Sequence, residues 1–380
     1  MTVNRLLYAV LFTIVISVDP ASAQVEPYTL DEAVERGVVD FNFNPWGTIP
    51  ISPLIDHLTE INPGLINRIG FEYGGFSVDF LNALALTVRH IHLLIPKVLL
   101  GGGVNEALYL SYDQTLDCGG GLGRRHFSAA DLVGRTSQGS AARFIDMSKI
   151  ESQNYYICVG QILIDMGITY LHFEGPDSVI KSSSSPYEAI NGYRRVHDKL
   201  VRYGIENGGR LYFSGDPFLS GVLTLDGVYI PSRFYHTSIP AYQKYQNSEL
   251  TGVGKGYTYW LSDAIVRDIR KSVPSDVRVF FYVDNWDETQ DDLRRMMELD
   301  DVNRRILLTR SSEVAKIEGA YFIPPLTHCE GCVLPDHVGD FCEIGPTGKS
   351  EYNAYQCADF PVIRRALEIQ AASEAAKHRQ

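Results

Sequence analysis

The stretch Tyr156–Glu174, YICVGQILIDMGITYLHFE, contains a helix and a strand in immediate succession. Tyr156–Met166 reads as a helix, and Gly167 stands where a glycine commonly ends one. Ile168–Glu174 reads as a short strand that ends in a carboxylic acid. A helix that leads at once into a strand is the repeating unit of a parallel α/β sheet. This stretch therefore predicts an α/β fold.

The same alternation extends along the chain in both directions. One helix carries an apolar stripe at Leu81, Leu84, Val88, Ile91 and Ile95, and further helices are predicted at Tyr187–Tyr203 and Tyr259–Val273. The other predicted strands are Ile66–Tyr73, Lys97–Gly101, Arg143–Met147, Arg210–Ser214, Val222–Ile230, Val277–Val283, Arg305–Thr309 and Ala320–Ile323. Nine or ten strand candidates favour a (β/α)8 TIM-like barrel with one or two extra hairpins, and an open α/β sheet is the alternative.

The amino terminus has the pattern of a secretory signal peptide. Arg5 precedes the apolar run Leu6–Val18, Pro20 breaks the run, and Ala21-Ser22-Ala23 forms a small-residue cleavage site. A membrane anchor is the alternative, but the run is shorter than the roughly 20 apolar residues that a bilayer core requires. We therefore predict a signal peptide at 1–23, a barrel domain at 24–362 and a C-terminal helix at 363–380, in a secreted or periplasmic protein without a membrane span.

The charge balance excludes some partners. The formal net charge is −12, so the chain is expected to repel nucleic acid and anionic lipid surfaces. This acidity carries no information about the substrate.

Six cysteines are present, and four of them crowd the last quarter of the chain: Cys329, Cys332, Cys342 and Cys357. Behind a signal peptide this spacing favours disulfides, with a metal site or free thiols as alternatives. We expect a Cys-rich C-terminal elaboration at 329–357 that walls one side of the barrel mouth. Cys158, in an apolar helix, is predicted to be a buried thiol.

Acids at the ends of predicted strands are the main functional signal: Glu72, Asp146, Glu174, Asp216 and Asp284. In a parallel barrel the carboxyl ends of the strands meet at one mouth, where catalytic residues stand. Charged groups at the ends of apolar strands cost free energy unless they are paired or used. An acid after a strand is also commonly a helix cap or loop acceptor, and that reading is favoured for Asp146 and for Asp216, which precedes Pro217.

Two acids facing one another can hydrolyse a glycosidic bond if one is protonated and the other ionised. We assign the protonated acid to Glu174 and the nucleophile or base to Asp284 or Glu72. The substrate-binding candidates are Asp146, His172, Trp286 and Asp216. Of these, His172 shares a strand face with Glu174, and Trp286 offers a ring for stacking on a sugar.

Metal and cofactor chemistry are not indicated, so no metal site and no cofactor are predicted. His90 and His92 lie two apart on one predicted helix and therefore do not share a face. The sequence has no H-E-x-x-H motif, no glycine-rich phosphate motif and no G-x-S-x-G elbow. Gly101–Gly103 and Gly119–Gly121 are read as flexible loops.

The segment Arg143–Glu174, RFIDMSKIESQNYYICVGQILIDMGITYLHFE, resembles a segment of secreted glycoside-hydrolase-like barrels. There a strand ends in Asp, a Tyr-rich helix follows, and an aliphatic-Asp-x-Gly motif leads into a strand that ends in an acid. The matching positions here are Asp146, Tyr155, Tyr156, Asp165, Gly167 and Glu174. The likeness covers 32 of 380 residues. It implies that Glu174 and Asp146 face a sugar site, with Asp165 structural.

The sequence therefore predicts a glycoside hydrolase-like enzyme that acts on a glycan through paired carboxylates. The alternative from another class is a secreted barrel protein that binds carbohydrate without cleaving it, or that is structural. A hydrolase of non-sugar substrates is a third reading.

Overall fold

The computed structural model describes residues 26–41, 51–72, 74–138, 142–215, 224–225, 228–229, 236–240, 263–272, 278–283, 296, 301–328, 352–354 and 359–377. The predicted signal peptide and cysteines 329, 332, 342 and 357 lie outside these residues. Across the described residues, none of the helices combines the length and apolarity that crossing a bilayer requires.

The helices of the described chain are α1 Leu30–Arg36, α2 Ile51–Ile61, α3 Val78–Leu94, α4 Ala129–Leu132, α5 Ile150–Asp165, α6 Pro176–Ser182, α7 Pro186–Glu206, α8 Asp263–Ser272, α9 Asp301–Ile317 and α10 Phe360–Lys377. Local capping explains several of their starts. Thr29 and Glu32 form a reciprocal capping box at α1, and the Ser77 and Ser185 side chains accept the third backbone N–H of α3 and α7. These caps fix the residue at which each of the three helices begins.

The main sheet is parallel except at one edge. Its strands are β1 Val38–Phe41, β2 Leu65–Gly70, β3 Leu99–Val104, β9 Tyr170–Phe173, β10 Tyr212–Gly215, β13 His236–Pro240, β14 Arg278–Tyr282, β15 Tyr321–Ile323, β16 Pro325–His328 and β17 Tyr352–Asn353, where intervening numbers belong to the smaller sheets. Within the described residues the strand order is β15-β14-β13-β10-β9-β3-β2-β1-β16-β17. The β16–β17 pair is antiparallel. The α/β prediction is confirmed.

One continuous segment, Tyr321–His328, pairs with two separate parts of this sheet. Its first half, β15, pairs with β14, and its second half, β16, pairs with β1. The two halves are separated only by Pro324, whose carbonyl accepts the Asp40 backbone N–H at 3.0 Å. Strands β14 and β1 are thus both neighbours of the same short segment.

Between β3 and α5 the chain builds an insertion of antiparallel strands, β4 Ala107–Tyr109, β5 Asp113–Cys118, β6 Gly123–Ser128, β7 Val133–Gln138 and β8 Ala142–Ile145. The pairing gives a β5–β6 hairpin and a three-stranded sheet of order β4-β8-β7. A disulfide joins Cys118 of β5 to Cys158 of α5 with 4.8 Å between the Cα atoms, within the usual range. The prediction of a free thiol at Cys158 is wrong, although the side chain is buried as expected.

Some strand predictions are also wrong. Arg305–Thr309 lies inside α9, because a short apolar run cannot by itself distinguish a buried strand from part of a long helix. Gly101–Gly103, read as a loop, lies inside β3. Arg143–Met147 does contain a strand, but β8 belongs to the antiparallel insertion. Within Val222–Ile230, the described residues form the two-residue strands β11 Thr224–Leu225 and β12 Val228–Tyr229, which pair antiparallel and lie outside the main sheet.

Side chains of the parallel strands divide between two faces. One face packs against the helices through residues such as Val39, Leu100, Leu171 and Phe281. The other carries an apolar cluster that also includes Leu30, Ala33 and Val34 of α1. The strand members of that cluster are Val38, Leu65, Leu99, Tyr170, Phe280, Tyr282, Tyr321 and Ile323. Helix α1 therefore packs on this second face, which we call the inner face.

Candidate functional site

Polar side chains are buried toward the carboxyl-terminal ends of five parallel strands. They are Asp40 on β1, Asn67 and Arg68 on β2, Asn105 after β3, His172 on β9 and Ser214 on β10. Burying such groups costs free energy unless hydrogen bonds or charges compensate them. We call these six residues the polar layer.

Arg68 has an unusual backbone conformation within this layer. Its φ is +60°, a left-handed value that costs a residue with a side chain about 1 kcal/mol. The pairing of β2 with β3 is irregular between Ile66 and Gly70, so Arg68 lies in the interruption of the ladder. Its guanidinium carbon lies 5.2 Å from the ring centre of Phe71 and 5.0 Å from that of Tyr282.

Glu174 follows β9 at the edge of the polar layer. Its backbone N–H donates to Val104 O at 3.3 Å, which continues the β3–β9 ladder by one residue. The Asn105 side-chain amide donates to Glu174 Oε2 at 3.1 Å, and Arg68 Nη2 lies 3.8 Å from Glu174 Oε1. The Glu174 side chain is 14 % exposed, whereas that of Arg68 is 3 % exposed. The Glu174 side chain is therefore partly exposed, next to a buried arginine.

These contacts bear on the ionisation of Glu174. An amide N–H donor and a guanidinium both stabilise the ionised carboxylate. The sequence predicts that Glu174 is the protonated acid, on the expectation of an apolar setting. The surroundings observed here instead favour the ionised form.

Hydrogen bonds to the side chain and to the backbone carbonyl of Asn105 hold this residue in place. Its Oδ1 accepts the Ala107 backbone N–H at 2.9 Å, and its carbonyl accepts the Tyr156 hydroxyl at 3.2 Å. With Oδ1 used in this way, Nδ2 is the end of the amide that points to Glu174.

The glycine run of β3 leaves space for this arrangement. A Cβ on Gly103 would lie 2.8 Å from His172 O and 2.8 Å from Phe71 Cδ2. A Cβ on Gly101 would lie 3.1 Å from Asn67 Cα. Backbone atoms of β2 and β9 and the ring of Phe71 thus occupy the volume that side chains on β3 would otherwise fill.

His172, a predicted substrate-binding residue, is fully buried in the polar layer. Its Nδ1 lies 2.7 Å from Ser214 Oγ across the β9–β10 pair, and both side chains are 0 % exposed. Nearby on β1 and β2, Asn67 Nδ2 donates to Asp40 Oδ1 at 3.4 Å. The structure therefore places His172 beneath the exposed end of Glu174, and the binding role of His172 stays a prediction.

Glu72, the predicted nucleophile or base, is held at the start of α3. One carboxylate oxygen accepts the Ser77 backbone N–H at 2.7 Å, and the other accepts the Ser77 hydroxyl at 3.2 Å. Burial, and to a lesser extent the charge of Glu72, raises the pKa of Tyr155. Glu72 thus acts as a hydrogen-bond acceptor at a helix start, and a catalytic role for it stays a prediction.

Asp146, a predicted substrate-binding residue, follows β8 of the insertion and not a strand of the parallel sheet. Its carboxylate accepts the hydroxyls of Ser148 and Ser184, both at 2.5 Å, and their backbone N–H groups at 3.1 and 3.2 Å. Burial by itself raises the pKa of Asp146, but these hydrogen bonds outweigh that effect and lower the pKa below its usual value. The assumption that Asp146 ends a strand of the parallel set is wrong, because β8 pairs antiparallel with β4 and β7 in a separate sheet.

The other predicted site residues, Asp216, Asp284 and Trp286, lie outside the described residues. Among the residues that are described, no group of three or more His, Cys, Asp or Glu side chains is arranged to hold a metal ion.

Sequence reasoning missed Arg68, Asn105, Glu106, Asp40 and Ser214. Two signals were available: a charged residue in the middle of the apolar strand INRIG, and the polar pair Asn105-Glu106 directly after LLGGGV. The second signal was missed because Gly101–Gly103 was interpreted as a loop. The predicted strand therefore ended at Gly101, and Asn105-Glu106 was not recognised as following a strand.

Comparisons with known proteins identify the fold. No protein-family model and no curated protein sequence matches this chain. Among solved structures, Eubacterium rectale Amy13B is 9 % identical over 88 % of this chain and 78 % of that chain, with a TM-score of 0.51. A mutant of the trehalulose synthase MutB is 10 % identical over 90 % of this chain and 75 % of that chain, with a TM-score of 0.50. The neighbouring structures are glycoside hydrolases, and at this identity the likeness shows that the chain shares their α/β fold with a parallel sheet.

Proposed function

We propose that this chain is a (β/α)8-barrel glycosidase that uses Glu174 as an ionised carboxylate. The observation that carries the proposal is the position of Glu174. Its carboxyl group is partly exposed at the carboxyl end of a parallel strand and held by Asn105 and Arg68 over a buried polar layer. Active sites of β/α barrels are built at this end of the strands.

Closure of the sheet into a barrel is supported by the segment Tyr321–His328. It supplies one strand position between β14 and β1, so that β1, β2, β3, β9, β10, β13, β14 and this segment give eight positions.

Closure is also supported by the contact between Arg68 of β2 and Tyr282 of β14. Along the strand order, β2 and β14 are five spacings apart, which in a flat sheet amounts to about 24 Å. The Arg68 guanidinium nevertheless lies 5.0 Å from the Tyr282 ring centre. Strong curvature of the sheet is the simplest way to bring these two strands face to face.

The partner of Glu174 is proposed to be Asp284. Arg68 contacts both Glu174 and Tyr282, so the ends of β9 and β14 approach the same guanidinium. Asp284 stands two residues beyond Tyr282 in the sequence, which is the spacing of one strand face. Two carboxyl groups act on one glycosidic bond when they are about 5–10 Å apart. Glu174 would then serve as nucleophile or base, and Asp284 as proton donor.

The test compares turnover with binding in Glu174→Gln. Reducing-end release is measured on a panel of α- and β-linked glucan, mannan and galactan oligosaccharides, and binding of the best substrate is measured by calorimetry. We expect turnover to fall by about a thousandfold or more while the Kd changes little, since Gln keeps the size of the side chain but cannot act as a base.

Glu151→Gln is the matched control, because Glu151 also pairs with an arginine but lies on α5 next to the insertion. It should keep wild-type turnover. Equal turnover in Glu174→Gln would overturn the proposal. Wild-type protein that binds members of the panel without cleaving any would identify a carbohydrate-binding barrel instead.

A further inference from the structure

Arg68 combines three features that a purely structural arginine does not need. Its side chain is 3 % exposed, its backbone has φ +60° within an irregular part of β2, and its guanidinium faces the carboxylate of Glu174. A conformation of this kind persists only where its surroundings enforce it, and such conformations concentrate at functional sites.

We propose that Arg68 is the positioning residue of the site, holding the Glu174 carboxylate ionised and aimed toward the mouth. The assignment rests on the proposed glycosidase function for its biological meaning. The physical relation between the two side chains can be measured without activity.

The Arg68 guanidinium lies over two aromatic rings, one just after β2 and one at the end of β14. It lies 5.2 Å from the ring centre of Phe71 and 5.0 Å from that of Tyr282. The planar guanidinium group stacks on aromatic faces in a way that the compact ammonium of lysine does not. Phe71 and Tyr282 therefore select arginine at this position and limit where its charge can lie.

Arg68 and Asn105 contact different oxygens of the Glu174 carboxylate. The Asn105 amide lies at hydrogen-bond distance from Oε2, at 3.1 Å. Arg68 Nη2 lies 3.8 Å from Oε1, which is too long for a good hydrogen bond but close for an ion pair. Asn105 thus directs one oxygen, and Arg68 supplies the positive charge on the other.

The other groups named near Glu174 add no permanent positive charge. Glu106 is buried after β3 and contacts Gly175, since a Cβ on Gly175 would lie 3.1 Å from Glu106 Cγ. His172 lies on the same strand as Glu174, and Tyr282 faces Arg68 from β14. Among these described neighbours, Arg68 is the residue with a permanent positive charge, and Glu106 is a second acid.

The left-handed backbone of Arg68 makes a glycine substitution a useful control variant. A left-handed φ suits glycine, so Arg68→Gly removes the side chain while relieving the backbone. Arg68→Met removes the charge but keeps an apolar stem, and Arg68→Lys keeps the charge without the planar group. Arg125→Met removes an arginine–glutamate pair with Glu151 away from the parallel sheet and is the matched control.

The experiment follows the carboxyl carbon of Glu174 by NMR in protein labelled with carboxyl-13C glutamate, with Glu174→Gln identifying the signal. In Arg68→Met and Arg68→Gly we expect its titration midpoint to move to higher pH by about one unit or more, because the ion loses its positive neighbour. Arg68→Lys should restore most of the wild-type midpoint, and Arg125→Met should leave it unchanged.

Activity is the second readout. On the best oligosaccharide of the panel, kcat in Arg68→Met should fall by about tenfold or more with KM changed only a few-fold, and the acid limb of the pH profile should move with the NMR midpoint. An unchanged midpoint in both Arg68→Met and Arg68→Gly overturns the positioning role. A shifted midpoint in a protein that cleaves none of the panel upholds the positioning role and overturns the glycosidase proposal.

Discussion

The inner face of the parallel sheet has two halves of opposite character on the same strands. Toward the amino ends it is apolar, with Leu65, Leu99, Tyr170 and Phe280 packed together and covered by α1. Toward the carboxyl ends, within a few residues, it becomes the polar layer beneath Glu174. The apolar half removes surface from water and stabilises the fold. The polar half gains little from burial, because each group must replace the water that it lost.

This contrast indicates what each half is for. Alternation along a strand explains why Asn67, His172 and Ser214 face inward, and the irregularity of β2 accounts for Arg68, but neither explains why these residues replace apolar ones there. Sequences depart from local rules of stability mainly at functional sites. The polar half is therefore the part of the interior that we associate with function.

The largest effect on stability is expected from a truncation in the apolar half. Phe280 is fully buried and stacks on Tyr321 with 5.2 Å between ring centres. Phe280→Ala should lower the free energy of unfolding by about 4 kcal/mol, the usual cost of emptying a core aromatic site. Urea denaturation followed by tryptophan fluorescence measures the change. A loss below about 1 kcal/mol would mean that this half of the interior is not a packed core.

A smaller effect is expected at Asp146, which tests whether a buried carboxylate in this protein must be functional. Asp146→Asn should cost about 2 kcal/mol, because the hydrogen bonds from Ser148 and Ser184 lose their charged acceptor. Activity on oligosaccharides should be retained, in contrast to Glu174→Gln. If Asp146→Asn instead lost turnover without losing stability, the result would support the predicted role of Asp146 in binding the sugar.

The pH dependence of the Asp146 effect has a defined sign. Its folded-state pKa lies below the unfolded value of 3.8, so its contribution is fully present above pH 3.8 and is lost as the pH falls through the folded pKa. The stability gap between the wild type and Asp146→Asn should therefore be constant near neutral pH and narrow in acid. A gap that widens in acid would contradict the depressed pKa.

The smallest effect is expected within the polar layer itself. Ser214→Ala removes the partner of His172 Nδ1 and should cost about 1 kcal/mol, the net value of one hydrogen bond, because both side chains are fully buried. Arg310→Ala, which breaks an exposed ion pair with Glu313 on α9, serves as the reference and should change stability by about 0.5 kcal/mol or less. If Ser214→Ala were as costly as Phe280→Ala, the two halves would not differ as we describe.

Much of the secondary structure was predictable from the spacing of apolar residues and from residues that end helices, such as Gly167. The helices α3 and α7 and the strands β2, β9 and β14 were placed to within a few residues, whereas α5 begins at Ile150 and not at the predicted Tyr156. Predictions failed where an apolar or glycine-rich run was short. Arg305–Thr309 is part of a helix, and Gly101–Gly103 belongs to a strand. In both places the deciding contacts come from distant parts of the chain, such as the Phe71 ring beside Gly103.

Local sequence is enough to predict that strands and helices alternate along this chain and that Glu174 ends one of the strands. Those properties follow from local spacing of apolar residues and from the residue at each strand end. The tertiary structure was needed to show which side chains surround Glu174. It brought Arg68 and Asn105 to Glu174 from 106 and 69 residues earlier in the chain, and it assigned Asp146 to the antiparallel insertion. Strand order and curvature set these distances, and no local pattern records them.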